Sequence, residues 1–257
     1  MGERFRGGGP FGLFENLVWQ ERWPGLAAGI TAAGRGSDFG LSTVSPAAAF
    51  FENHSTLARQ LGFRATAMVR QVHEARVLEL TAGLAVGGGA GPRLYLAGSA
   101  DGLVADDSGT LLAVTAADCV PVYLVEPRRR LVGLLHAGWR GVAAGVLESA
   151  LDRVDRGWSG ARPDLWLHLG PAICGECYPV GPEVTEALGV SDRPPRHVDL
   201  RRILVGKAAA AGLRSERVTV SEWCTRCGGD RFHSHRGSQG QAGRMAAYIG
   251  WRSETAG

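Results

Sequence analysis

Residues Leu111 to Val146, LLAVTAADCVPVYLVEPRRRLVGLLHAGWRGVAAGV, decide the fold class of this chain. Leu111–Thr115, Val120–Val125 and Leu131–Leu135 are short apolar runs bounded by turn formers, the pattern of buried strands. A basic turn separates the second from the third. Beyond Gly141, the positions Val142, Val146, Ala150 and Val154 recur every fourth residue with Leu147 and Leu151 beside them, which predicts one amphipathic helix. Two reactive side chains sit at the polar breaks: Cys119 after Ala117-Asp118, and His136 before Ala137-Gly138-Trp139-Arg140-Gly141. A third, His73, ends the strand-like run Ala65–Val72.

Outward from this stretch, strands and helices alternate without strict βαβ regularity. A helix is expected from the Ser45-Pro46 start, with Ser as N-cap and Pro in the first turn, to a stop at Gly62. Leu17–Ile30, broken by Pro24 and Gly25, predicts one or two strands. Arg76–Leu80, Leu94–Leu96, Leu165–Leu169 and Val218–Val220 predict further strands, and the Gly-rich Ala82–Gly91 a flexible surface loop. Pro182–Leu188 predicts a short helix, and Asp199 caps another that runs to Ala211. Residues 1–16 are Gly-rich and expected to be loosely held. No linker or repeat divides the remainder, so residues 17–257 are expected to form one α/β domain of mixed character.

Bulk composition narrows the function classes. At 257 residues, 45% hydrophobic and 21% charged, the chain can bury a sizeable core. A net charge of +3 is too small to argue for a nucleic-acid partner. No apolar run approaches the ~20 residues that span a bilayer, and Met1–Pro10 lacks the hydrophobic core of a signal peptide. The expected setting is cytoplasmic, where thiols stay reduced, and the expected state a monomer.

Two imidazoles and one thiolate form a donor set for a catalytic zinc with an open fourth position. The same set also resembles the trigonal ligands of copper electron-transfer sites. The separations, 46 residues from His73 to Cys119 and 17 from Cys119 to His136, are not those of a local motif. On residue chemistry alone the alternative of a buried thiol and two structurally satisfied histidines stays open. So does a covalent role for Cys119, since a thiolate beside a histidine is activated for attack. Asp118 could orient a ligand histidine or cap a turn. Free N–H groups and a guanidinium after Trp139-Arg140-Gly141 suit an anion such as phosphate. The remaining cysteines form two C-x-x-C pairs, Cys174/Cys177 and Cys224/Cys227. Such pairs signal a structural zinc, but the 46 residues between them exceed the usual knuckle interval, and buried thiols or a redox-sensitive pair are the alternatives.

The strings Gln71-Val72-His73, Thr115-Ala116-Ala117-Asp118-Cys119-Val120-Pro121-Val122 and His136-Ala137-Gly138-Trp139-Arg140-Gly141 resemble the signature of the YfiH-type laccase-domain family. That family has been described as multicopper polyphenol oxidases and as zinc-dependent purine nucleoside phosphorylases. Gly170–Ile173, Tyr178–Gly181, Cys224-Thr225, Phe232–Arg236 and Gly243–Met245 extend the likeness from about Ser45 to Ile249. The resemblance implies a layered α/β domain of packed mixed sheets with outer helices. It implies zinc on His73, Cys119 and His136, phosphorolysis of purine nucleosides and methylthioadenosine with phosphate as co-substrate, and deamination of adenosine. Arg140 and Arg236, then Arg70 and Arg244, are the expected phosphate contacts, and His235 is expected to reach the site. Two departures from the family's pattern, Asn53-His54 where Asn-Arg is common and a lone Arg236 before Gly237, touch anion and substrate contacts more than the metal. A copper-dependent polyphenol oxidase and a Cys/His amidase acting on peptidoglycan precursors are the competing enzymatic readings. Seven histidines in the whole chain are few for a multicopper oxidase.

Overall fold

The apolar runs on either side of Cys119 are both strands, yet they lie in different sheets. The structure is a computed structural model. It describes the chain apart from residues 1–2, 8, 35, 42–46, 81–83, 87–90, 192, 195 and 254–257, and apart from the side chains of 17 and 84–86. From the N-terminus come β1 (Glu3–Arg6), β2 (Leu13–Asn16), α1 (Leu17–Arg22), β3 (Leu26–Thr31) and α2 (Ala47–Leu61). Next are β4 (Ala65–Arg70), β5 (Val77–Glu79), β6 (Leu84–Val86), β7 (Arg93–Ser99), β8 (Gly102–Ala105), β9 (Thr110–Ala116), β10 (Val120–Glu126) and β11 (Leu131–Ala137). The chain ends with α3 (Trp139–Ala144), α4 (Val146–Gly157), β12 (Trp166–Leu169), α5 (Pro182–Ala187), α6 (Leu200–Ala210), β13 (Val218–Val220) and β14 (Met245–Trp251).

An eight-stranded sheet has the order β1-β2-β3-β14-β9-β4-β7-β6, and a six-stranded sheet the order β13-β12-β10-β11-β8-β5. Alternate side chains of one strand point to opposite faces, and β10 illustrates how that builds layers. Tyr123 and Val125 meet Leu112, Val114, Ala247 and Ile249 of the larger sheet, while Val122 and Leu124 meet Val142, Leu151 and Leu204 of the helices α3, α4 and α6. On the far face of the larger sheet, Leu57, Ala58 and Leu61 of α2 pack on Leu111 and Tyr248. The molecule is therefore four layers deep: helix, sheet, sheet, helices. Strands covered on both faces carry continuous apolar runs instead of alternation, which is why β9, β10 and β11 are so hydrophobic.

Strand direction positions the functional residues. In the larger sheet β9, β4 and β7 are parallel neighbours, so their C-termini lie at one edge. From each of the three the chain crosses to the smaller sheet, entering β10, β5 and β8 respectively. The crossovers contain Cys119, His73 and Asp101. Strand β11 runs antiparallel to β10 and β8, so it returns to that edge and brings His136 with it. The β10–β11 hairpin that allows this is closed by buried Glu126, whose carboxylate accepts the amides of Arg128 (3.2 Å) and Arg129 (2.9 Å).

Several local expectations are corrected. Residues 3–6 and 13–16, expected to be loosely held, are the edge strand of the larger sheet and its neighbour, with Leu13 and Phe14 buried. Leu17–Arg22 is a helix, because the Asn16 side chain accepts the Trp19 amide and caps it. The helix expected from Val142 to Val154 is two helices broken at Gly145, which has φ 86°. Within the expected loop Ala82–Gly91, Leu84–Val86 pairs with β7. The Ser45-Pro46 helix start lies outside the described residues. Strand β14 was not anticipated, yet it is a central, fully buried strand between β3 and β9.

Candidate active site

Asp101 organises the crossover edge. Its side chain is fully buried and accepts the backbone amides of Val72 (3.3 Å), His73 (3.0 Å) and Glu74 (2.7 Å). These bonds hold His73 in the left-handed region, φ 61°, which a non-glycine residue occupies only when its surroundings impose it. The same carboxylate bonds Nδ1 of His136 at 3.0 Å, and the Asp101 carbonyl accepts the His136 amide at 2.8 Å. One acidic side chain therefore orients both histidines.

Nδ1 of His136 being engaged by Asp101, its Nε2 is the ring nitrogen left for another partner. Burial works against a charged His136, but the Cys119 sulfur and Asp101 outweigh it and raise the ring to about 9. His73 is shifted the other way, by burial first and then by His136, Arg140 and Arg244, against the pull of Asp101. Burial tends to raise the Asp101 carboxyl, yet the His136 ring and the amides of Glu74 and His73 hold it below the usual range.

The three expected ligands are adjacent. The His73 and His136 rings lie 4.9 Å apart at 88°. A Cβ placed on Gly138 would meet Cys119 Sγ at 3.0 Å and carbons of both rings at 3.9 Å. Only glycine leaves that space open, and a thiolate with two imidazoles is a zinc-compatible donor set, so the residues fit an ion there. The set is more open than a closed cage: among the described residues, only the four remaining cysteines bring all their ligand atoms within 4.8 Å of one another.

A cavity of about 630 Å³ opens on this cluster, lined by His73, Cys119, His136, Gln71, Arg70, Arg244 and His235. Its apolar wall includes Phe50, Phe51, Met68, Leu94 and Leu96. Arg140 and Arg236 instead line an adjoining depression of about 480 Å³ with Tyr178 and Glu183. Arg140 stacks on Trp139 and Arg236 on Tyr178. Tyr178 is pushed up to about 12 by burial and then by Cys119. A larger hollow of about 740 Å³ beside Phe5, Phe14 and Trp223 contains none of the candidate residues, so size does not select the site. Asp118 does not touch a ligand histidine in the described contacts. It accepts Thr225 Oγ1 (2.6 Å) and the Arg236 amide (2.7 Å), at φ 89°, and thus fixes the turn that presents Cys119.

Sequence reasoning missed Asp101 as the orienting carboxylate. The signal available was a lone acidic residue between two strand-like runs. It also missed Gln71, whose amide bonds the backbone of Thr115 in both directions (2.9 and 2.8 Å) and so ties the His73 crossover to the end of β9.

The family model described as multi-copper polyphenol oxidoreductase laccase matches residues 18–252. Purine nucleoside phosphorylase YlmD of Geobacillus stearothermophilus is 37% identical over 79% of this chain and 78% of that protein. Adenosine deaminase RL5, from an unknown prokaryotic organism, is 33% identical over 70% and 74%. The crystal structure of YlmD from Geobacillus stearothermophilus superposes with TM-score 0.83 at 29% identity, covering 98% of this chain and all of that one. The Bacillus licheniformis hypothetical protein YfiH gives TM-score 0.83 at 27% identity, covering 96% and 99%. Matched by that model over nearly its whole length and by these relatives in sequence and in fold, the chain belongs to the multi-copper polyphenol oxidoreductase laccase family.

Proposed function

We propose that this chain is a zinc-dependent purine nucleoside phosphorylase, active also on methylthioadenosine and as an adenosine deaminase, with His73, Cys119 and His136 holding the ion. The observation that carries the reading is the meeting of these three residues around Gly138, at the floor of a cavity large enough for a nucleoside. The names of the relatives, a phosphorylase and a deaminase, support the substrate class. A bound zinc supplies a Lewis acid that polarises a substrate oxygen or nitrogen, or activates water.

The chain's own residues do the rest. Asp101 fixes the ring orientation of His136 and the backbone of His73. Phe50, Phe51, Met68 and Leu94 offer an apolar wall to the base and exclude water. In phosphorolysis a phosphate oxygen bonds to the sugar carbon, the carbon–nitrogen bond to the base breaks, and the base takes that electron pair and a proton. The phosphate needs a fixed positive field. Arg70 and Arg244 share the cavity with the cluster, so they rank ahead of Arg140 and Arg236, the reverse of the order expected from sequence. Nothing in the donor set favours a multicopper oxidase: of the seven histidines only His73, His136 and His235 line the cavity.

The test is zinc analysis of the purified protein together with turnover of inosine and adenosine, with and without phosphate. Phosphate-dependent release of base, lost in Cys119→Ala along with the ion, is the expected result. Ammonia release alone, independent of phosphate, would leave only the deaminase. Turnover untouched by Cys119→Ala would overturn the reading.

One observation favours a second reading, the amidase. Cys119 beside His136, with His136 bonded to Asp101, is also the order of groups of a thiol nucleophile with base and orienting acid. Amide hydrolysis that survives chelators but not thiol alkylation would select it.

A further inference from the structure

We propose that Cys174, Cys177, Cys224 and Cys227 bind a second zinc ion, a structural tetrathiolate site that staples the two loops bracing the Cys119 turn. The four sulfur atoms all lie within 4.8 Å of one another, and none is in a disulfide. Zinc–sulfur bonds of ≈ 2.3 Å in a tetrahedron set sulfur atoms roughly 3.8 Å apart, so a small contraction closes the cage. Four sulfur donors in that arrangement select zinc over harder cations.

The spacing that argued against a shared site is removed by topology. Strands β12 and β13 are parallel neighbours, and a C-x-x-C follows each at the same sheet edge. The loops are joined there by a bridge between Ala172 and Cys224. Two backbone amides, of Cys174 at 3.3 Å and Cys227 at 3.5 Å, point at Cys224 Sγ, as donors to a metal-bound sulfur would. Cys227 is followed by Gly228, whose amide bonds the Cys224 carbonyl at 2.9 Å. A Cβ at Gly228 would fall 2.4 Å from that oxygen. The turn thus keeps Cys224 and Cys227 together, and the convergence of both pairs on one point is what a single redox pair would not require.

The ion would act on the catalytic site at one remove. Within the second C-x-x-C, Thr225 bonds Asp118, the residue before Cys119, and just before the first the Ile173 amide bonds the Asp118 carbonyl at 3.0 Å. Cys177 leads directly into Tyr178. Losing the staple frees both loops that brace the Cys119 turn.

The experiment counts zinc in the reduced full-length protein carrying Cys119→Ser, so that its result does not depend on the catalytic assignment. About one zinc per chain should remain, released by a mercurial thiol reagent and absent once Cys224→Ser and Cys227→Ser are added. Should that variant not fold, cobalt substitution of the Cys119→Ser protein serves instead: an intense sulfur-to-cobalt charge-transfer band of four-thiolate type supports the site. A thermal midpoint lowered by roughly 10 °C in Cys227→Ser is the expected stability readout. No zinc in the Cys119→Ser protein, iron in its place, or Cys174–Cys177 and Cys224–Cys227 disulfides in protein kept reduced would overturn the proposal.

Discussion

Asp101 meets four donors with two oxygens, and three of the four lie on the backbone of the His73 crossover. Asp101→Asn keeps an oxygen for those amides but sets an N–H against them or against His136 Nδ1. Partners at this remove from a metal are worth about 10–100-fold in affinity or activity. A loss of that size is expected in both zinc affinity and kcat/KM for inosine, and unchanged values would remove Asp101 from its orienting role. A different buried side chain makes the fold sensitive to acid. His54, on the buried face of α2, has Nε2 bonded to the Phe39 carbonyl at 3.2 Å and Nδ1 without a partner among the described residues. Burial lowers it from 6.5 to about 4 despite that bond. The unfolded chain therefore binds a proton between these values that the folded chain refuses. The contribution of His54 is full above pH 6.5 and falls as the pH drops toward 4, by on the order of 3 kcal/mol in total. Urea unfolding across that window should show the slope, and His54→Gln, whose amide can still donate to Phe39, should flatten it.

At the scale of elements, the joint between α3 and α4 turns on one residue. Gly145 closes α3 and opens α4 at φ 86°, and a Cβ there would meet Glu148 only at ordinary contact distance, 3.5 Å and beyond. Gly145→Ala should therefore cost only the left-handed backbone penalty, ~1–2 kcal/mol, measured as a lower urea midpoint; a gain in stability would mean that the helices prefer to be continuous. The apolar period across 142–154 was legible and the break was not, since the same side chains face the smaller sheet on either side of the glycine. Strands β10 and β11 were legible for a related reason: apolar runs of strand length with a basic turn between them allow little else. That β9 belongs to the other sheet was not, because a strand buried on both faces carries no sign of which neighbour it faces. The three proposed ligands could be named, with the family likeness, one by one. Asp101 could not, since its partners stand 27 to 35 residues away in sequence and nothing local distinguishes it from a turn former.

For the molecule as a whole, two sheets must be held face to face; the crossovers from β4, β7 and β9 do this at the edge that carries the site, and the return from β8 to β9 does it at the opposite edge. Another tie joins the outermost strands. Glu3 of β1, at the rim of the larger sheet, bonds His168 Nε2 of β12 at 3.0 Å and accepts the hydroxyl of Ser221, just past β13, at the rim of the smaller one. Both side chains of the Glu3–His168 pair are only 4% exposed, and His168 Nδ1 is already engaged with Thr219 at 2.9 Å. Removing the carboxylate would strand a buried ring nitrogen and a hydroxyl with no replacement, a cost of about 1–3 kcal/mol for a buried polar group left unpaired. Glu3→Ala should lower the urea midpoint by that amount, while Glu3→Gln, which retains an acceptor oxygen, should lose less. If both variants unfold like the parent protein, the N-terminal strand is a passenger and the sandwich is held by its crossovers and its apolar interior alone.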